Sequence, residues 1–497
     1  MRQRFEQQLS LDTLPIGDVT IPLKSRDEMP PVVRALQFIF TTESLNEKIF
    51  TLLESKVCGG KKKTGRRGMD LWHILVLAVV RHATAANWDR LLMMANYDMF
   101  VRDILGVGST GFSRGGKKFE YQNILDNVSL IDEGLLHQIN DIVVEAGHQL
   151  VKKKDHEPLE LALKTDSYAV ETNIHFPTDL NLLWDSCRKC LDTVKHLQDI
   201  APLKGWRKIR HIRKTLKSQF RRTSQQVFKG KSEKARKESV QQYLCLANAL
   251  GQRCQSIVDH PPVITDKDVE ATLLLTNLMR YVDYTHKFTD QIERRLLQGE
   301  NIPAEEKIYS IFEPHTEWIT KGKQNKRVEL GHLLLITTDQ YQFIVDYKII
   351  EGQKDASQIK PLVERLSKKY AGRNVSSHSF DKGFWSKDNL ETLRTSWVQQ
   401  AVLPKRGKHT KEDRERESSK DFKTLRNRHS AVESNVNMLE HHGLNRCMDK
   451  GLHGFKRCVG LSVLAYNLHI LGNALVQADR KQQKQNEQRQ QRHQPAA

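Results

Sequence analysis

At 497 residues the chain is too long for one small core, and two or three domains are expected. Its 79 Lys and Arg outnumber 60 Asp and Glu, a formal charge of +19 that points to a polyanionic partner. Seven irregularly spaced cysteines argue against a disulfide framework, and the longest apolar run, Leu71 to Val80, is broken by His73 at about half the length of a membrane span.

Residues 1–155 read as helical. Pro30 and Pro31 precede a periodic stretch through Val33, Leu36, Phe40 and Leu45. Met69 to Ala85 is apolar nearly all round and predicts a buried helix. A second helix follows through Trp88, Leu91, Leu92 and Phe100, stopped by the glycines of 106–116. Asp132 caps a helix carrying Leu135, Ile139, Val143 and Leu150.

The pattern changes at Leu159. Leu159 to Ser167 and Ala169 to His175 suit strands, and a long helical insertion follows at about 180–305. Strand signals return at Glu329 to Thr338 and Phe343 to Ile350, with Asp339 and Gln340 at the turn. Then come a helix (Asp355 to Tyr370), a strand (Asn374 to Phe380), a helix (Ser386 to Thr395) and a strand (Val398 to Leu403). A helical pair closes the fold, Arg428 to His442 and Gly454 to Val476, and residues 479–497 read as a disordered polar tail. The expected architecture is multidomain α+β. A helical N-terminal domain over 1–155 precedes a mixed-sheet domain over 156–478, whose order without the insertion is that of a ribonuclease-H-like fold.

Two-metal phosphoryl chemistry needs carboxylates converging from separate elements on ions about 4 Å apart. The segment Leu161-Ala-Leu-Lys-Thr-Asp166-Ser places Asp166 within or at the end of an apolar strand. Asp381 follows a strand and precedes Lys382-Gly383, a turn that frees a carboxylate to face a cleft. Glu433 stands beside Val432, at the edge of the stripe Val432, Val436, Leu439. An Asp after a strand is ordinarily a cap and a Glu on a helix is ordinarily solvated, so the pattern alone selects these three weakly from 60 acids.

Three blocks carry a resemblance. Thr165-Asp166-Ser-Tyr-Ala-Val-Glu171-Thr-Asn173-Ile-His175-Phe-Pro177 resembles the first-aspartate block of the ISNCY group of insertion-sequence transposases. Phe380-Asp381-Lys-Gly383-Phe resembles the second, and His429-Ser-Ala-Val-Glu433-Ser-Asn-Val-Asn, with Leu464-Ala-Tyr-Asn467-Leu, resembles the glutamate block and its following helix. Gly65-Arg-Arg-Gly68 resembles the opening helical domain of many such enzymes. The resemblance implies a DDE transposase in the bacterial cytoplasm, at the nucleoid. Asp166, Asp381 and Glu433 would hold two Mg²⁺, with Mn²⁺ able to substitute. Its partners would be double-stranded DNA, at terminal inverted repeats and target, and a second copy of the chain or a higher oligomer; no membrane is implied. Position 440 is Glu where some relatives carry Lys, and a matching Tyr and Arg are absent, so a hairpin intermediate is not implied. The rival readings are a nuclease of the same fold and a DNA-binding protein that has lost catalysis.

Basic residues are dense from Lys204 to Lys237, where Glu233 is the lone acid. Trp206, Ile209, Ile212, Leu216 and Phe220 form an apolar stripe, while Lys204, Arg207, Lys208, Arg210, Arg213, Lys214, Lys217, Arg221 and Arg222 lie mostly off it. That pattern suits phosphate contacts, or a solvated basic face. Lys61, Lys62, Lys63, Arg66 and Arg67 form a second patch. Cys187 and Cys190 read as helical thiols rather than zinc ligands, and His441 and His442 as solvent-facing. Trp318 and Trp385 suit either base stacking or core packing.

Overall fold

The computed structural model describes residues 2–7, 13–59, 68–108, 117–151, 160–262, 269–320, 328–352 and 355–493. The chain divides into two compact units, 1–173 with 319–497, and Ile174–Trp318.

The first unit opens with α1 (Met29–Thr41), α2 (Glu43–Leu53), α3 (Leu71–Ala83), α4 (Trp88–Tyr97), α5 (Met99–Leu105), α6 (Tyr121–Val128) and α7 (Glu133–Val151). Local chemistry sets the boundaries. Pro30 and Pro31 occupy the first turn of α1, where no backbone N–H is needed. Asn87 accepts from the Arg90 amide to start α4, and Asp98 from the Val101 amide to start α5. Gly106, at φ +69°, stops α5 in the left-handed conformation. As its all-round apolar sequence predicts, α3 is buried along its whole length. Two of its polar side chains find buried partners: Arg81 pairs with Asp449 at 2.6 Å, and His82 Nδ1 lies 2.8 Å from Ser462 Oγ.

Seven described strands form one mixed sheet: β1 (Leu161–Thr172), β2 (Glu317–Thr320), β3 (Val328–Thr338), β4 (Ile344–Ile350), β5 (Val375–Phe380), β6 (Val398–Val402) and β7 (Arg446–Cys447). The path runs β2-β3-β1-β5-β6, with β4 also on β3 and β7 also on β1. β1 pairs antiparallel with β3 and parallel with β5; β3 and β4 are antiparallel, β5 and β6 parallel. The two strands expected between 159 and 175 are one, because the pairing of this segment with Gly331 to Thr338 runs without a break from Lys164 to Glu171.

The second unit is helical, with α8 (Asp179–Ile200), α9 (Ile209–Lys229), α10 (Glu233–Asp259) and α11 (Val269–Ile292) around their own core. It spans more than the expected 180–305. The chain then adds α12 (Ile359–Lys369), α13 (Lys387–Arg394), α14 (Lys411–Ser418), α15 (Lys420–His429), α16 (Ala431–Leu439) and α17 (Gly451–His493).

Three expectations are corrected. The boundary near residue 155 does not separate distinct bodies, since one apolar core joins α1, α3 and α7 to β1, β4, β5 and α17. The helix expected from Arg428 to His442 is broken at Ser430, and its continuation past Leu439 is wound more loosely and ends at Gly443, φ +89°. Residues 479–493 are helical rather than disordered: Gln, Lys, Arg and Glu propagate a helix already nucleated by packing, and Asp479 holds Arg34 at 2.7 Å.

α17 is the core helix. It is the one described helix long and apolar enough to cross a membrane, and 83% of its apolar stretch is buried inside the protein. It crosses α1 so closely that a side-chain carbon on Gly472 would stand 1.7 Å from the Pro31 carbonyl oxygen. Gly472→Ala must therefore push two backbones apart. We expect a loss of about 1–3 kcal/mol, seen as a lower midpoint in thermal unfolding.

Candidate active site

Asp166 lies just beyond the last parallel pairs of β1 with β5, Lys164 with Ser379 and Thr165 with Phe380. Asp381 is the residue after Phe380. The two aspartates therefore emerge side by side from neighbouring strands, which run about 4.8 Å apart. Strand alternation puts them on the same face as Lys164 and Ser379. Each carboxylate accepts a short backbone hydrogen bond, Asp166 from the Ser167 amide at 2.7 Å and Asp381 from the Lys382 amide at 2.6 Å. Asp381 is exposed and Asp166 half-buried.

Glu433 is in the first turn of α16, which packs on β1. Its neighbours Val432, Asn435 and Leu439 are buried, and Glu433 is exposed at the margin. Tyr466 of α17 fixes the helix, its hydroxyl lying 3.1 Å from Asn435 Oδ1 and 2.8 Å from the Gln342 carbonyl.

His429, the last residue of α15, stands between the acids. Its Nδ1 is 3.0 Å from Ser379 Oγ, and Nε2 is buried with no hydrogen-bond partner among the described residues. Burial pushes its pKa down; Asp381 and Glu433 oppose that and Lys164 adds to it, so His429 feels both acids. Beneath it Thr165 Oγ1 contacts Thr337 Oγ1 and His378 Nε2, each at 2.7 Å. Burial lowers the His378 pKa to about 3. Beside the acids a cleft of about 480 Å³ is lined by Lys164, Ser377, Ser379, Arg428 and Ser434, with two cations to meet an anion.

A further carboxylate joins the aspartates. Asp355 accepts from Ser167 Oγ at 2.7 Å. A carbon placed on Gly383 would meet its Oδ2 at 3.7 Å and Asp381 Oδ2 at 4.0 Å. In the sequence it reads only as the start of a helix. The signal that could have found it is Gly383, whose missing side chain leaves room for both carboxylates.

Of the expected trio, the two aspartates are thus paired by strand register, and Glu433 is linked to them only through its influence on His429. Among the described residues no three His, Cys, Asp or Glu side chains converge on one point as ligands. Hard carboxylate oxygens are nevertheless the donor set that Mg²⁺ prefers.

Of the basic residues, Lys204, Arg207, Lys208, Arg210, Lys214, Lys217, Arg221 and Arg222 are exposed. Arg213 is ion-paired with Asp192 at 2.5 Å. The stripe of Trp206, Ile209 and Leu216 is buried as expected, with Ile212 and Phe220 partly so. Lys61, Lys62, Lys63, Arg66 and Arg67 lie outside the described residues. Cys187 and Cys190 are buried in the α8 face of the second core. His441 is exposed, but His442 is fully buried, facing His469 and Tyr466, because the helix turns inward there. Trp385 packs on the first core, with Lys405 and Arg416 over its ring.

No protein-family model, curated protein or solved structure matches this chain.

The buried histidines make stability depend on pH. His378 binds a proton in the unfolded chain below its ordinary value of 6.5, but in the folded protein only near 3. Below pH 6.5 the unfolded state therefore holds more protons, and stability falls as pH falls from 6.5 toward 3. His469, lowered to about 4, acts in the same sense. Denaturant titrations across that range should show the decline, and His378→Gln should shallow its slope by up to about one proton.

Proposed function

We propose that the chain is a DDE-type DNA transposase that cleaves transposon ends and joins them to target DNA, with Asp166, Asp381 and Glu433 as its acidic triad. The observation that carries the reading is the parallel register of β1 and β5, which sets Asp166 beside Asp381 while α16 brings Glu433 over the same strand. The strand order β4-β3-β1-β5-β6, with antiparallel, antiparallel, parallel and parallel neighbours, supports a ribonuclease-H-like core. Fold analogy alone does not establish chemistry, so the weight rests on the carboxylates.

In this reading Asp166, Asp381 and Glu433 hold two divalent ions, Mg²⁺ or Mn²⁺. When bound, such ions lower the pKa of water and stabilise a leaving oxygen. The residues themselves position the groups. Lys164 and Arg428 draw a phosphate into the cleft they line. His429, kept neutral by burial, can accept a proton at Nε2. Water attacks the phosphodiester at each end, and the freed 3′-hydroxyl attacks target DNA in the same site. The exposed cations from Lys204 to Arg222 suit sequence-independent phosphate contacts. The chain would work in the bacterial cytoplasm as a dimer or higher oligomer on its ends.

Glu433 is distinguished from Glu440 by position. Seven residues carry a helix about 10 Å. Glu440 lines a separate cleft of about 610 Å³ with Arg81, Glu171 and Arg446, and it acts on buried Tyr168 rather than on His429. Asp166→Ala, Asp381→Ala and Glu433→Gln should each abolish metal-dependent end cleavage while duplex binding survives; Glu440→Gln should keep most activity. Single-turnover cleavage in Mg²⁺ reads this. Full activity of the Asp166 or Asp381 variant sinks the proposal, and DNA binding without nicking by the unaltered chain favours an inactive derivative.

Neutralising Arg210, Lys214, Lys217 and Arg221 should weaken binding to all duplexes alike. The slope of log K against log salt should flatten by about 0.7–0.9 for every phosphate that is no longer neutralised. An unchanged slope would make this face merely solvated.

A further inference from the structure

Aromatic side chains are exposed where the second unit begins and ends. Phe176 is 61% exposed and Trp318 39%, yet their rings lie 5.8 Å apart. Tyr309 adds a third ring, 5.4 Å from Trp318. The surface continues through side-chain contacts. His175, next to Phe176, is 3.3 Å from Asp185, and Asp185 holds Arg188 at 3.1 Å. Arg188 and Lys189 stand 5.7 and 5.6 Å from the ring of Phe312, itself 39% exposed.

Burial alone does not explain this arrangement, since rings that only clasped the ends of the unit would be covered. Apolar faces left in water, with two cations on the same unit at the ring of exposed Phe312, fit a ligand that is flat and anionic. A nucleobase offers a π-face of any sequence and a phosphate at its side, and base–aromatic stacking contributes roughly 1–3 kcal/mol per base. A duplex hides its base faces, so the ligand must be unpaired.

We propose that Phe176, Trp318 and Tyr309 form a stacking ledge for unpaired nucleobases of DNA, with Arg188 and Lys189 contacting the adjoining phosphates. The ledge rests on the reading that DNA is the substrate and adds a second kind of contact to it. It takes bases where strands separate, as at a freshly cut end, whereas α9 contacts phosphates.

The test compares two probes on the full chain: an oligothymidylate of roughly a dozen nucleotides, within the usual site size, and an abasic strand of the same length. Fluorescence anisotropy should show tighter binding of the strand that carries bases. Phe176→Ala should weaken that binding roughly 5- to 100-fold and leave the abasic strand unchanged. Trp318→Phe, which keeps a ring, should retain most affinity where Trp318→Ala loses it. Equal affinity for the two probes, or no effect of Phe176→Ala, overturns the ledge. So does a loss of self-association in Phe176→Ala by sedimentation, which would make the rings a face between copies. Asp166→Asn should bind both probes as the unaltered chain does. In the unaltered chain, base-dependent binding without end cleavage would sink the transposase reading alone, and cleavage without base dependence would sink the ledge alone.

Discussion

The register of β1 is the constraint on which the rest of the site depends. β1 lies between antiparallel β3 and parallel β5, and a slip of one residue on either side would turn Asp166 to the opposite face. Several buried contacts hold it. Thr165 meets Thr337 on one side and His378 on the other, one hydroxyl bridging three strands. Near the start of the strand, the Ala162 amide donates to Gln340 Oε1, and the Leu161 amide to the Asn374 carbonyl. Burial keeps His378 neutral in this contact. An unpaired charge at that depth would cost several kcal/mol.

The second constraint is α17. Asn467 accepts from the Ile344 amide at 2.9 Å and donates to the Ile344 carbonyl at 2.9 Å, closing the backbone at the start of β4. Asn140 of α7 joins the same cluster, 2.7 Å from Asn467. One residue earlier, Tyr466 reaches Asn435 and so sets the height of α16 above the sheet. A turn of the Asn435 amide would let Nδ2, otherwise without a partner, donate to the Tyr466 oxygen while Tyr466 donates to Gln342. The Tyr-Asn pair that stands out in the sequence is thus structural, and it supports the glutamate from a distance.

Much of this was legible in the sequence, for physical reasons that differ by element. The strands from β3 to β6 and the helices between them announce themselves through strict periodicity, and their bounds fall within a few residues of expectation. Asp381 was legible because it follows an apolar strand and Asp166 because it closes an apolar run, although the strand itself continues past it to Thr172. Three things were not. Asp355 carries no local signal, since its role depends on Gly383 almost thirty residues away. The break at Ser430 is invisible because Arg428 to His442 keeps helical spacing across it. The union of the N-terminal helices with the sheet is equally hidden: the periodicity of α1, α3 and α7 shows that each has a buried face, but not that α17 covers it.

The placement of the second unit follows from the same sheet. It enters after β1 and returns before β3, two strands that pair antiparallel and would otherwise be joined by a short turn. Lengthening such a connection costs little, about 0.6 kcal/mol for each doubling of a flexible loop. The unit reduces even that by folding on its own core with its ends together, as the contact of Phe176 with Trp318 records. An insertion of this kind can grow and acquire a basic helix without disturbing the register that pairs Asp166 with Asp381. The sheet needs only that the chain leave and return at neighbouring points. The residues that meet that need, Phe176 and Trp318, are left exposed, so the neck of the insertion is open to a second role that its core is not.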